Sequence, residues 1–598
     1  YLDKVSLNKA QKRLMDRFED LKTDSELIDV VKAEGRVTTK AVYAKRSAPD
    51  YYAAAMDGIA VDSANTAGGS ERNPVKLKKG KEAVLIDTGD PLPDQFDAVI
   101  KIEEVNKIDE KTFEIEKGVP PWHNVRSIGE SVVRGQMIIP SNHQIRDFDI
   151  GALLEAGVQK LSVYKKPEVT IIPTGNELVK ASKKPKAGQL IEFNSQMIRS
   201  SLMKWGARVN CLDIVPDKKE LIKEKIINAN KNSDLTIIIA GSSAGEEDYT
   251  LSILEELGEV FVHGVNIMPG KPLILAELNE KPVIGLPGYP LSALINNYLF
   301  VKEAIYNLQA LKSPDLREKE VEVRRKIPSD IGLEEFLRVN LAEIDGKIVA
   351  VPKQRGAAAM ESIVRADGVL RIPENKEGVT AGDKLPAILL KDNSKIRENL
   401  LLVGSHDLTL DLLVDELKKK RAKFSLNLQS VGSLAGLMSL KRGECQLAGA
   451  HLLDDKDGSY NKNQVKRIFK DKEMALINLV YRQQGFYVKK GNPKNINSIS
   501  DLSSDHISYI NRQRGAGTRV LFDYLLKEEG LKKEDINGYS QEEYTHISAA
   551  IAVGRGSADA ALGIEAAAKA VGVDFIPLRE ERYDLILLLK YLDDWRIK

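Results

Sequence analysis

Three segments of the chain place glycine beside small hydroxyl and acidic residues directly after an apolar run. They are Thr174-Gly175-Asn176-Glu177, Ala240-Gly241-Ser242-Ser243-Ala244-Gly245-Glu246-Glu247-Asp248, and Gly285-Leu286-Pro287-Gly288-Tyr289-Pro290-Leu291-Ser292. Backbone N–H groups at such turns, free of side-chain bulk and opening helices, suit a phosphate or another oxyanion. Between the second and third lies Pro269-Gly270-Lys271-Pro272, where prolines fix the backbone and one lysine could reach an anion. Glu177 and Asp248 could hold a hard divalent cation such as Mg²⁺, which takes a few carboxylates together with substrate phosphates. Each feature has a plainer reading: a glycine turn as a tight connection, an acid as a helix cap, a lysine as a solvated turn residue. Three such loops in register argue more strongly than any one.

The elements that must position them are legible in the spacing. From Pro167, apolar strands alternate with helices, including one around Ser195 to Trp205 and one ending near Leu311. That pattern predicts a parallel sheet with crossover helices, whose strands' carboxyl ends face one crevice. Before it come a charged amphipathic helix and, from about Val37 to Val125, a turn-rich β module; after it, short strands from Val321 to Leu390 predict a small β-barrel. The charged run KDNSKIREN reads as a joint, beyond which a further α/β region starts at Leu400.

Composition sets the limits. A chain of 598 residues requires several cores, and a net charge of +1 argues against global attraction to nucleic acid or anionic membrane. Cys211 and Cys445 stand alone, which excludes a disulfide framework and points to a reducing compartment. No apolar run is long enough for a bilayer, so a cytoplasmic protein with neither membrane nor nucleic-acid partners is expected.

Beyond the loops, Ala55-Met56-Asp57-Gly58-Ile59-Ala60, Asp87-Thr88-Gly89-Asp90-Pro91-Leu92-Pro93, Asn124-Val125-Arg126 with Gly129-Glu130, and His263-Gly264-Val265 occur in order. Together these resemble the molybdopterin molybdenumtransferase family, MoeA in bacteria and the E domain of gephyrin, over about two thirds of the chain. The resemblance implies a linking domain (1–36 and 126–166), a β-rich domain with the MDG loop (37–125), an α/β molybdopterin-binding domain (167–312) and a β-barrel (313–392). It implies a homodimer with active sites shared between chains, and molybdopterin adenylyltransferase as a candidate partner. The implied reaction inserts molybdate into adenylylated molybdopterin, releasing AMP with Mg²⁺ assisting. By the same resemblance Asp57, Thr88, Glu177 and Asp248 are catalytic candidates, the last two also metal ligands, and Thr174, Ser243, Lys271, Pro272, Ser292 and Arg338 bind substrate or oxyanion. Many relatives have Lys-Pro-Gly-Lys where this chain has Met268-Pro269-Gly270-Lys271, and Gly-Glu-Asp where it has Gly129-Glu130-Ser131. One cation and one acid are thereby lost, so tungstate stands beside molybdate, and a catalytically weak dimeric scaffold or a cofactor or metal sensor is the alternative function.

Residues 400–598 resemble the type 2 periplasmic-binding-protein fold of LysR-type effector domains, implying two α/β lobes around a cleft. Ser405, Ser433, Gly515 and Thr518 are the matching ligand candidates, for an oxyanion or another small effector. Asp407 would repel an oxyanion unless it caps its helix. No helix-turn-helix precedes this region, and Lys418-Lys419-Lys420-Arg421 ends an amphipathic helix as a solvated face.

Overall fold

The structure, a computed structural model, describes residues 4–240, 249–353, 355–356, 360–454 and 459–598. It comprises two compact units, the first Tyr1–Gly264, Pro272–Gly288 and Ala293–Pro314, the second Val265–Lys271, Tyr289–Ser292 and Asp315–Lys598.

The first unit opens with the helix Leu7–Phe18, which buries Leu7, Ala10, Leu14 and Phe18. Their spacing of three and four residues is what makes one apolar stripe on a helix. Strand Ser25–Asp29 pairs antiparallel with Lys160–Tyr164, so the two sequence-distant parts of the linking region close on each other. Between them stands the β-rich module, with Gly58–Val61 paired on one side to Ala83–Ile86 and on the other to Ala98–Lys101. Ile59, Val61, Leu77, Ile100, Phe113 and Ile115 form its core.

Next comes the α/β sheet: β1 (Glu168–Pro173), β2 (Arg208–Cys211), β3 (Leu235–Ala240), β4 (Glu259–His263), β5 (Ile274–Leu278) and β6 (Lys281–Pro287), in the order β2-β1-β3-β6-β5-β4. β2, β1, β3 and β6 are mutually parallel, and β5 and β4 complete the sheet antiparallel. Ile171, Ile172, Ile237, Ile238, Val283 and Ile284 are wholly buried, so adjacent residues on both faces of each strand are covered. Their unbroken apolar runs are the signature of a parallel sheet flanked by helices.

In the second unit β7 (Glu318–Val323), β8 (Glu334–Ile344), β9 (Lys347–Pro352), β10 (Gly368–Ile372) and β11 (Lys384–Leu389) close a barrel in the order β8-β9-β7-β11-β10-β8. The segment Ile267–Met268 joins it as a two-residue parallel strand beside Glu334 and Glu335. The C-terminal region is one eight-stranded sheet. Its strands are β12 (Asn399–Gly404), β13 (Ser425–Ser430), β14 (Leu447–Ala450), β15 (Met474–Val488), β16 (Tyr509–Arg512), β17 (Glu542–Glu543), β18 (Ala560–Ile564) and β19 (Asp574–Leu588), in the order β13-β12-β14-β19-β15-β18-β16-β17. β15 and β19, fifteen residues each, pair along their whole length and carry the sheet from one lobe into the other. Two cores flank the crossing, one around Leu400–Val403 and Leu437, the other around Phe486, Phe522 and Leu562.

The joint differs from its sequence appearance. Asn393–Arg397 is a short helix whose Ile396 is fully buried in the barrel core, because one apolar residue in a charged run finds a partner there. Ala342, Ile344, Val349 and Val351 of the barrel share a core with Leu400–Val403, Leu437, Tyr583 and Ile586. Asn399 Nδ2 donates to Leu341 O at 2.8 Å and Gln446 Nε2 to Glu343 O at 3.1 Å. Barrel and C-terminal domain are therefore packed as one body, not tethered. No helix among the described residues is long and apolar enough to cross a membrane.

Candidate functional site

The three glycine-bearing loops leave β1, β3 and β6, which are neighbours in the parallel part of the sheet. Pro173 pairs with Ile239 and Ala240 with Pro287, so the strand ends lie side by side at the carboxyl edge. A ligand crevice forms at such an edge. Ser243 and Asp248 lie outside the described residues.

Thr174 is buried, its amide donating to Ile239 O at 2.9 Å and its hydroxyl reaching the same carbonyl at 3.4 Å. The loop is held by Asn176 N donating to Asp217 Oδ2 at 2.9 Å and Asp217 N to Asn176 Oδ1 at 3.1 Å. Gly175 sits at φ +151°, a conformation that favours glycine, and a Cβ there would lie 2.9 Å from Glu177 Oε2, so the Glu177 carboxylate lies over the turn. That exposed acid is the described half of the expected metal pair. Sequence reasoning missed Asn194, the buried first residue of helix Asn194–Lys204, whose Nδ2 donates to Gly288 O at 2.7 Å. Its Oδ1 is buried without a partner among the described residues. An Asn opening a helix after a glycine-containing loop is the signal that could have found it.

Asp57 and Thr88 come together in the β module. Asp57 Oδ1 accepts from Thr88 N and from Thr88 Oγ1, both at 2.6 Å. These two bonds hold its carboxyl below the usual carboxylate range, so it stays anionic at any physiological pH. The glycine of Met56-Asp57-Gly58 has a steric reason: a Cβ there would stand 1.9 Å from Ile100 O of the neighbouring strand.

The remaining oxyanion candidates occupy other elements. Pro272 lies in the first unit, just before β5, and Lys271, Ser292 and Arg338 in the second. Lys271 is half-buried at the end of the segment Val265–Lys271, its carbonyl accepting from Val265 N at 2.9 Å. Ser292 is buried in the first turn of helix Pro290–Asn296. A five-residue π-helical turn, Asn297–Val301, follows that helix, a distortion frequent near functional sites. Arg338, which sequence alone allows as an exposed strand arginine, is only 2% exposed in β8 and donates to Ser362 Oγ. Burial lowers its pKa. Beside it on the barrel, an open cavity of about 590 Å³ is lined by Arg325, Lys326, Lys353 and Arg355 with Leu337 and Tyr544. Burial pushes Lys353 down to about 8. Met268 lines a neighbouring recess with Glu335 and Arg355, which pair at 2.7 Å.

In the C-terminal domain, a polar cluster is buried where the crossing strands meet the ends of β12, β14 and β16. Arg482 donates to Glu581 and, at 2.5 Å, to Asp407 Oδ2. Asp407 also caps its helix, accepting from Thr409 N at 2.8 Å. Burial would raise its pKa, but Arg482 and Thr409 outweigh it and hold the acid ionised. Glu581 is likewise held down to about 2, against burial, by Arg482, His451 and Gln484. An ionised Glu581 only accepts, so His451 Nδ1 donates to it at 3.0 Å. Burial keeps this imidazole neutral, and its Nε2 therefore accepts the Ser405 hydroxyl at 2.7 Å.

Of the four expected cleft residues, Ser405 and Ser433 both engage His451, the second accepting from its amide at 3.2 Å. Thr518 accepts from Gln484 at 3.4 Å. Gly515 is exposed at φ +85°, and a Cβ on Gly432 would lie 3.5 Å from its carbonyl, so the two lobes approach closely there. Sequence reasoning missed Arg482, Gln484, Arg512, His546 and Glu581. For Arg482 and Gln484 the available signal was charged and amide residues inside the INLVYRQQGFYV run, since such groups are buried only where partners satisfy them.

Family models match three successive regions: residues 5–157 the MoeA N-terminal region (domains I and II), 170–307 a "Probable molybdopterin binding domain", and 320–390 the MoeA C-terminal region (domain IV). Residues 414–598 match a PBP superfamily domain. A protein of Methanocaldococcus jannaschii assigned to molybdopterin biosynthesis is 32% identical over 405 residues, which cover 65% of this chain and 98% of that protein. A molybdopterin molybdenumtransferase of Haemophilus influenzae is 30% identical over 318 residues, covering 52% and 78%. The crystal structure of a molybdopterin biosynthesis MoeA protein from Pyrococcus horikoshii superposes with a TM-score of 0.56 at 30% identity, over 65% of this chain and all of that one.

Proposed function

The chain belongs to the molybdopterin molybdenumtransferase (MoeA) family, and on that premise we propose that it inserts molybdate or tungstate into adenylylated molybdopterin, releasing AMP. It is a transferase of molybdenum cofactor biosynthesis carrying a PBP-like domain at its C-terminus. The observation that carries the substrate reading is the row of adjacent parallel strand ends, with Thr174, Glu177 and Asn194 around them. Oriented amides and hydroxyls at such an edge lower the cost of bringing a phosphoanhydride and a metal oxyanion together. Lys271, Pro272, Ser292 and Arg338, with Ser243, are assigned to the oxyanion, and Asp57 and Thr88 to the reacting pterin. Glu177 fits a metal role: it is an exposed acid folded over a glycine turn, and with Asp248 it would hold Mg²⁺. A cation bound there would polarise the phosphoanhydride.

Asp57 is exposed and fixed by Thr88, which suits a group presented outward, and we assign the MDG module to the active site of a second subunit in a homodimer. The C-terminal domain is assigned the binding of a small anionic effector. The test uses Asp57→Ala and Lys271→Ala. Each variant should lose molybdate-dependent AMP release, and an equal mixture should recover about a quarter of wild-type activity, because half the dimers carry one intact site of two. No recovery would refute the shared site, and full activity of either variant the assignment of that residue.

A further inference from the structure

The buried cluster of the C-terminal domain is unevenly satisfied. Among the described residues, Arg482 Nη2, Arg512 Nη1, Gln484 Oε1 and both ring nitrogens of His546 are buried without hydrogen-bond partners. All four residues are at least nine-tenths buried. They belong to one neighbourhood: Gln484 Nε2 and Arg482 Nε both donate to Glu581 Oε1. His546 is held neutral by burial first and then by the charges of Arg512 and Arg482. Gly517 brings the second lobe onto this cluster, since a Cβ there would stand 2.5 Å from the His451 ring.

The charges are also uneven. Arg482 is answered by Asp407 and Glu581. Arg512 donates to carbonyl oxygens only, Glu543 O at 3.2 Å and Tyr544 O at 3.0 Å, and to the side-chain amide of Gln513 at 3.2 Å. A buried guanidinium without a carboxylate calls for an anion. The acceptor is equally informative. Because Gln484 Nε2 donates to a carboxylate at 2.6 Å, the amide orientation is fixed and Oε1 must accept. Neutral His546 adds one donor and one acceptor.

We propose that the C-terminal domain closes around a tetrahedral oxyanion that retains a proton, of the hydrogen-phosphate kind, with Arg482 and Arg512 donating to its oxygens and Gln484 accepting its hydroxyl. This rests on the cleft-binding reading of that domain and specifies its ligand. Sulfate, molybdate and tungstate carry no proton at neutral pH and would set an oxygen lone pair against Gln484 Oε1, a repulsion that rejects them. A simple carboxylate has two oxygens in one plane, whereas the unpartnered groups sit on two strands and a helix terminus. Its carbon skeleton would also face Ser405, His451, Glu581 and Thr518 rather than apolar side chains.

Calorimetry on the full chain with inorganic phosphate, sulfate and molybdate, for wild type and Arg512→Gln, tests this. The component lost in Arg512→Gln should be present for phosphate and at least ten-fold weaker for the other two. If that component is equal or stronger for sulfate or molybdate, the proton requirement is wrong while cleft binding stands. If no anion shows an Arg512-dependent component, both fail. Should Arg512→Gln not fold, Gln484→Met keeps the question open to refutation. It should weaken phosphate and narrow the discrimination at least three-fold, and an unchanged ratio would overturn the proposal.

Discussion

Asp57 is the residue on which the proposed chemistry depends most. Its carboxylate is already ionised and oriented by Thr88, so the role proposed for it is positioning and electrostatic. Thr88→Ala should leave the fold intact and lower turnover about ten-fold, whereas Asp57→Asn should cost about 100-fold, the scale expected when a reacting centre is misplaced. Steady-state AMP release reads both, and a Thr88→Ala enzyme as impaired as Asp57→Asn would give Thr88 a direct part in chemistry. At this scale the motifs stand out as residue types, glycine beside hydroxyl and acid after an apolar run, and it is their recurrence in three loops that sets them apart from ordinary turns and caps. What could not be read was engagement: Arg338 is buried rather than exposed, and Ser405 and Ser433 face His451. Hydrogen-bond direction depends on partners far apart in sequence, such as Glu581 for His451, and no local pattern encodes them.

Among the elements, the strand–helix alternation after Pro167 and the turn-rich barrel followed from periodicity, because each strand buries a continuous or alternating face. The joint at KDNSKIREN did not, since Ile396 anchors it into the barrel against the charge pattern. The β module depends on close approach at Gly58, so Gly58→Ala should destabilise it by about 1–3 kcal/mol, the usual cost of overpacking. Thermal unfolding measures this, and an unchanged midpoint would contradict the packing described. The acid-sensitive groups gather around the crossing strands, with Glu581 on β19, Asp407 and His546 at helix starts and His451 just after β14. Glu581 and Asp407 have depressed pKa values, and His451 and His546 are held neutral below 6.5. In every case the unfolded chain binds more protons, so stability is fully present above 6.5, falls as the histidines of the unfolded state titrate, and falls further below about 4.5 as unfolded carboxylates do. The melting temperature of the C-terminal domain should thus drop between pH 7.5 and 5, and His546→Asn should flatten that slope. A slope identical in wild type and variant would remove His546 from the account.

Taken whole, the molecule joins a transferase of the MoeA family to a PBP-like domain, and the barrel shares a core with that domain. Because Ala342, Ile344, Val349 and Val351 pack against Leu400–Val403, a chain ending at residue 392 should expose that face, bind an apolar dye and melt earlier than the full protein. Equal melting of the barrel in both would show that the interface contributes nothing. The domain order was legible from the motifs, but this fusion was not, because a barrel strand facing solvent and one facing another domain share the same alternation. The proposed chemistry is measured by the molar ratio of AMP released to molybdenum bound as dithiolene when the full chain meets adenylylated molybdopterin, molybdate and Mg²⁺. One AMP is expected for each metal inserted, and no AMP without the oxyanion. AMP release that proceeds equally without molybdate or tungstate, or metal insertion with the nucleotide still attached, would contradict it.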